Sequence, residues 1–118
     1  MCLILLALDT HPQYSLILAA NRDEFYDRPT ARAAFWEDAP AVLAGRDLRA
    51  GGTWLGIDRT GRLAAVTNFR QGEREPEARR SRGHLVSGFL TGPTVGRDYL
   101  TLVVAEMWNW FEDKLLCS

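Results

Sequence analysis

Two apolar runs near the start of the sequence, Leu3–Leu8 and Tyr14–Ala20, limit what this chain can fold into more than any other feature. Leu3-Ile4-Leu5-Leu6-Ala7-Leu8 shows no polar alternation, and a strand that is apolar on both faces has to be covered on both sides. Between the runs lies Asp9-Thr10-His11-Pro12-Gln13, which supplies turn formers and a proline that cannot continue a ladder. The pattern predicts an antiparallel hairpin. A helix-sheet-sheet-helix sandwich would satisfy it, one face meeting a second sheet and the other meeting helices. The order of elements, strands first and helices after, fits α+β rather than alternating βαβ.

Further along, residues 25–40 mix Arg28, Pro29, Arg32, Glu37, Asp38 and Pro40 with Phe35 and Trp36, and read as a long loop with aromatic anchors. Ala41–Gly45 predicts a short strand. Thr53–Asp58 and Arg62–Asn68 flank Arg59-Thr60-Gly61 as a second hairpin. Residues 71–80 alternate Glu73, Glu75 and Glu77 with Arg74, Arg79 and Arg80, the pattern of a solvated loop. Ser81 is placed to cap a helix whose stripe is Leu85, Val86, Phe89 and Leu90, ending at Gly92-Pro93. From about residue 96, Tyr99, Leu100, Val103, Met107 and Trp110 recur at helical spacing.

With 118 residues, 47% hydrophobic and a formal net charge of -1, the chain reads as one soluble unit with a modest core. No run approaches a membrane span. A signal peptide is not expected, because no basic region precedes the first apolar run and Asp9 and His11 interrupt it. The arginines of the 70–82 stretch alternate with glutamates, which disfavours a nucleic-acid partner. Cys2 and Cys117 make neither a metal-ligand spacing nor a CxxC, so free thiols in a reducing, cytoplasmic setting are expected, with no metal and no cofactor. His11 and His84 have no triad or metal partner nearby in sequence and take structural or solvent roles.

Cys2 carries the sharpest chemical signal. Methionine aminopeptidase removes Met1 when the second residue is small, which leaves a thiol and a free α-amine on one residue. In N-terminal-nucleophile enzymes that amine takes the proton as sulfur attacks a carbonyl; the plainer alternative is a small buried residue opening a strand. If the hairpin pivots near His11, Cys2 faces Ala20, and Asn21-Arg22-Asp23-Glu24 emerges beside the thiol; a register slip of one or two residues still leaves Arg22 within reach. A guanidinium there favours thiolate and offers a fork for a substrate carboxylate. Asp23 or Glu24 then orients Arg22 or holds the α-ammonium. Asn68, ending a strand, either donates its amide to an oxyanion or is a turn residue. Gly51-Gly52 permits close backbone approach to a ligand, yet no GK[ST] follows to make a phosphate loop. Trp54 lines a pocket or belongs to the core.

Met1-Cys2-Leu3-Ile4, Asn21-Arg22-Asp23-Glu24, Gly45-Arg46-Asp47 leading to Gly51-Gly52-Thr53-Trp54-Leu55-Gly56, Thr67-Asn68-Phe69-Arg70 and Ser81-Arg82-Gly83 together resemble the NRDE, or transport and Golgi organisation, family from Met1 to about Leu90. The resemblance implies an N-terminal-nucleophile hydrolase-like αββα sandwich, similar to the cysteine acylases that cleave penicillin V and conjugated bile acids. It implies Cys2 as nucleophile, Arg22 as the arginine after the second strand, Asp23 or Glu24 in place of a neighbouring aspartate, and Asn68 at the oxyanion. Asn21, Glu24, Trp54 and Arg70 are the candidate substrate contacts. The implied activity is hydrolysis of a non-peptide C–N bond in a small amide or acyl substrate. The competing class is a non-catalytic binding or trafficking protein for haem or lipid, tied to secretory-pathway organisation.

Members of the family are about twice as long, so residues 1–118 are expected to be a single domain corresponding to an N-terminal fragment. About five strands are expected, enough for one sheet and part of another. Such a chain exposes an apolar face and unpaired edges, which invite self-association.

Overall fold

The computed structural model describes residues 2–67 and 81–99. Strand β1 (Leu3–His11) and strand β2 (Tyr14–Asn21) pair antiparallel around Pro12-Gln13. Pro12 presets the turn, and the Gln13 N–H donates to His11 Nδ1 at 3.2 Å while the His11 and Tyr14 rings sit 5.2 Å apart. The register lies two residues along β2 from a pivot at His11, within the slip of one or two residues allowed for: Leu3 pairs with Asn21, Ile4 with Ala20 and Leu8 with Leu16. Reversal at Pro12-Gln13, later than His11, moves the pairing outward along β2. A bulge between Leu8 and His11, with Asp9 at φ 50°, absorbs the odd residue.

Four further strands form an antiparallel meander in the order β3-β4-β5-β6: Thr30–Phe35, Val42–Asp47, Leu55–Asp58 and Leu63–Ala65. Strand β3 corrects the reading of residues 25–40 as loop. Its six residues are all exposed, and Thr30-Ala31-Arg32-Ala33-Ala34-Phe35 has no apolar alternation to announce it. Pairing with β4 makes it an edge strand. Strand β4 and the β5-β6 hairpin form where expected, with β4 running on through Arg46 and Asp47.

The β5-β6 turn is organised by Asp58, which is 6% exposed. Its Oδ1 accepts from Thr60 N–H, Thr60 Oγ1 and Arg62 N–H, and its Oδ2 accepts from Arg62 Nε at 2.6 Å. Burial alone would raise the Asp58 carboxyl, but these bonds outweigh it and hold the group well below the usual carboxylate range. The same Arg62 guanidinium donates to the carbonyls of Leu90, Gly92 and Thr94, which lie at the end of the helix where carbonyls lack intrahelical partners.

That helix, α1 (Gly83–Thr91), lies across β4, β5 and β6. It starts two residues after Ser81, whose Oγ accepts from the Gly83 N–H at 3.3 Å. Of the expected stripe, Val86 and Leu90 are buried together with Trp36, Val42 and Ala44, and Phe89 packs at the margin of this core. The Trp36 indole N–H donates to the Ala44 carbonyl at 3.2 Å, so the largest core side chain leaves no polar atom unpaired. Residues 96–99 are helical, and the Tyr99 hydroxyl donates to the Leu85 carbonyl at 2.8 Å. Leu100, Val103, Met107, Trp110, Cys117 and the Glu/Arg run of 71–80 lie outside the described residues.

The molecule is therefore α+β, mostly strand, with antiparallel sheets. Among the described residues β1 and β2 pack only on each other. Leu5, Leu6 and Leu8 are 58%, 55% and 66% exposed, and the two sheets do not stack face to face. No helix among the described residues is long and apolar enough to cross a membrane.

Asp58 makes acid stability testable. A carboxyl held low in the folded state stabilises the fold above its unfolded pKa, near 3.9, and that contribution is lost as pH falls through the folded value. Urea melts between pH 7 and pH 3 are expected to show stability falling below about pH 4. Asp58→Asn should be less stable at neutral pH and should flatten this acid limb; an unchanged pH slope would show that Asp58 does not drive it.

Candidate functional site

The hairpin brings Cys2 to a residue 21 positions away. Beyond the last paired couple, Leu3 and Asn21, the chain continues to Cys2 before β1 and to Arg22 and Asp23 after β2. Cys2 was expected to face Ala20; the register found instead sets its half-buried thiol against the main chain of Asp23. The Asp23 N–H donates to Cys2 Sγ at 3.4 Å, and the thiol in turn faces the Asp23 carbonyl at 4.0 Å.

Arg22 Nη2 donates to Glu24 Oε2 at 2.7 Å, with both side chains largely buried. The other oxygen of Glu24 accepts from the Phe25 N–H at 3.0 Å, so the carboxylate is fixed at both ends. Of the two acids proposed to orient Arg22, Glu24 makes the bond, and Asp23 lends its backbone to the thiol. Asn21 closes β2 opposite Leu3. Trp54 belongs to the meander, half-buried, with its carbonyl accepting from the Val66 N–H at 2.8 Å. Asn68 and Arg70 lie outside the described residues. No group of three or more His, Cys, Asp or Glu among the described residues is arranged to hold a metal ion.

Two residues that sequence reasoning passed over tie this motif to the meander. Arg28 Nε and Nη2 both donate to Asp47 Oδ2, at 2.9 and 2.5 Å. Asp47 is 6% exposed, and its Oδ1 accepts from the Arg49 and Ala50 N–H groups. Burial would raise its carboxyl, yet Arg28 and the two backbone donors hold it below the usual range. The Leu48 N–H donates to the Pro29 carbonyl at 3.0 Å alongside this ion pair. An aspartate two and three residues before the N–H groups it caps is a recognisable turn signal. The pairing with Arg28, 19 residues back, had no local signature.

At Gly52 the close backbone approach is to helix α1. A Cβ on Gly52 would lie 2.7 Å from the Gly83 carbonyl carbon and 3.0 Å from the His84 nitrogen, and Gly51 sits at φ 78°. The Thr53 N–H donates to the Gly83 carbonyl, and His84 Nε2 meets the Ala50 carbonyl at 2.6 Å, which makes Nε2 the protonated nitrogen. His84 thus has the structural role expected of it. An open cavity of about 540 Å³ on the meander is lined by Trp36, Asp38, Arg46, Arg62 and Leu90 among others, none of them from the hairpin. Its cations are already engaged. Arg46 stacks 4.2 Å from the Trp36 ring centre and is forked onto Asp38 at 2.6 and 2.7 Å, while Arg62 is held by Asp58.

Because only backbone surrounds Gly52, no side chain can move to make room. Gly52→Ala is expected to destabilise the fold by about 1–3 kcal/mol, read as a lowered urea midpoint. Gly96→Ala, whose Cβ would come no closer than 3.8 Å to Phe89, serves as the comparison and should leave the midpoint nearly unchanged. Equal midpoints for the two variants would contradict the packing of this loop on α1.

The family model described as Transport and Golgi organisation 2 matches residues 1–115. The chain is similar to the Transport and Golgi organization 2 homolog of Mus musculus, with 48% identity over 120 residues that cover 94% of this chain and 43% of that protein. The Homo sapiens homolog is 45% identical over the same coverage. The Transport and Golgi organization protein 2 of Drosophila melanogaster is 42% identical over 100 residues, covering 77% of this chain and 35% of that one. The chain thus spans less than half the length of these curated relatives. With a family model spanning nearly every residue and close to half of the positions identical in a mammalian relative, the chain belongs to the Transport and Golgi organisation 2 family.

Proposed function

We propose that this chain carries the nucleophile of a cysteine amidohydrolase of the N-terminal-nucleophile type, acting on a non-peptide C–N bond within an αββα sandwich. The observation that supports the reading most is the meeting of the Cys2 thiol with the Asp23 N–H at 3.4 Å, next to an Arg22 held by Glu24. Removal of Met1 frees the α-amine of Cys2. Sulfur attacks the carbonyl carbon of a small linear amide, and the α-amine takes the thiol proton and passes it to the departing nitrogen. Water then hydrolyses the thioester with the same amine as base. The Asn68 side-chain amide, with backbone N–H groups, holds the oxyanion. Arg22 receives an acidic or strongly polar acyl portion, its fork aimed by Glu24. Asn21, Trp54 and Arg70 complete the substrate contacts.

The relatives' names, which speak of transport and Golgi organisation, support a second reading. In it the fold binds an apolar ligand such as haem or a lipid without turnover, and the exposed leucines of β1 supply apolar surface for that purpose. The state of the first residue separates the two. A retained Met1 removes the amine base and favours the binding protein.

Intact-mass measurement is expected to show loss of Met1, and Cys2 should alkylate faster than Cys117 near neutral pH. Equal rates in the folded protein would remove the case for an activated nucleophile. In a full-length homologue that hydrolyses an amide, Cys2→Ala should abolish turnover, and Asn68→Ala should lower it about 100-fold to 1000-fold. Turnover that survives Cys2→Ala would exclude the covalent route.

A further inference from the structure

The Arg22–Glu24 pair lies on a loop that leaves β2 and carries no core side chain of its own among the described residues. A loop of that kind holds a guanidinium in one direction only if something rigid anchors it. The anchor visible in the fold is Asp47, at the end of β4. It is buried, it caps two backbone N–H groups of its own turn, and it takes both Nε and Nη2 of Arg28.

Arg28 reaches it because the chain turns at residues 25–28, where the Arg28 N–H donates to the Phe25 carbonyl at 3.0 Å. Phe25 is also the residue whose N–H is held by Glu24. The loop is therefore closed at both ends, by Glu24 on the motif side and by Arg28 on the sheet side. Glu24 and Asp27 also act on the Arg28 charge through space. Along the chain the charges run positive at Arg22, negative at Glu24, positive at Arg28 and negative at Asp47, so each cation sits near an anion and the line ends on a buried group.

We propose that Arg28 and Asp47 are positioning residues for Arg22: the alternating line Arg22, Glu24, Arg28, Asp47 fixes the Arg22 guanidinium beside Cys2 by fastening its loop to the meander. The inference rests on the reading of Cys2 and Arg22 as one site. Arg28 and Asp47 touch no substrate in it. They act through Glu24 and the turn, and their loss leaves the Cys2 thiol in place while releasing the direction of the neighbouring charge.

The test compares two alkylating reagents of similar size on the full chain, anionic iodoacetate and neutral iodoacetamide, with Cys2 followed by peptide mass mapping. A fixed guanidinium beside the thiol draws the anionic reagent, so the ratio of the two rates reports where the Arg22 charge sits. General loosening changes both rates together and leaves the ratio alone. Arg22→Gln should lower the ratio roughly threefold to fivefold, the effect of one charge at contact distance in water. Asp47→Asn should lower it about twofold or more, through the same screened interaction, with the iodoacetamide rate nearly unchanged, and Asp47→Glu should restore part of it. If Asp47→Asn does not fold, as judged by its thermal melt, Arg28→Gln is read by the same criterion. A fall with Arg22→Gln but none with the Asp47 or Arg28 variant overturns the positioning role alone. No fall with Arg22→Gln shows that Arg22 does not serve the Cys2 thiol, and the shared-site reading fails with it.

Discussion

The Asp47 carboxylate is the interaction on which the described structure most depends. A buried carboxylate is costly unless every lone pair finds a donor, and Asp47 meets that demand from two directions. One oxygen serves the turn that leads to Gly51-Gly52, and the other takes the Arg28 fork. The turn then lies close enough to α1 for Gly52 to touch the Gly83 backbone and for Ala50 to bond His84. A single side chain thereby joins three parts of the fold: the end of β4, the start of the helix, and the loop that follows the Asn21–Glu24 motif.

The meander shows a parallel arrangement at its other end. Asp58 closes the β5-β6 turn and holds Arg62, and Arg62 covers the last carbonyls of α1. The helix is thus fastened at its start by the Thr53 N–H and the Ala50 carbonyl and at its end by the Arg62 side chain, while its middle supplies Val86 and Leu90 to a core with Trp36, Val42 and Ala44. Few apolar groups are fully buried among the described residues, and there these polar ties fix the placement of the elements. Replacing either aspartate leaves a half-buried arginine and several backbone N–H donors without their acceptor, which costs more than the loss of one exposed ion pair.

Much of this was legible in the sequence, for definite reasons. The β1-β2 and β5-β6 hairpins announced themselves through turn residues between apolar runs, and α1 through the spacing of Leu85, Val86, Phe89 and Leu90. Strand β3 was not legible, because an exposed edge strand needs no apolar alternation, and it reads as loop until β4 is there to pair with it. The need for glycine at 51 and 52 was visible, but its partner was not, since a helix 30 residues on leaves no mark at that position. Cys2 and the Asn21–Glu24 motif could be brought together from the hairpin alone. Their detailed geometry required the offset created by Pro12-Gln13 and Asp9, and the ion pair of Arg28 with Asp47 spans a separation that no local pattern encodes.

That offset has a further meaning. Most strands know their register because one face must be buried, and a slip of one residue turns the wrong side inward. Strands β1 and β2 carry apolar side chains on both faces, Leu3, Leu5 and Ala7 on one and Ile4, Leu6 and Leu8 on the other, so hydrophobicity scores neighbouring registers alike. The choice is left to the chemistry of the reversal: the fixed φ of Pro12, the His11 ring bonded to Gln13, and the unusual backbone of Asp9. The position of a thiol at one end of the ribbon is therefore written in the turn at the other end.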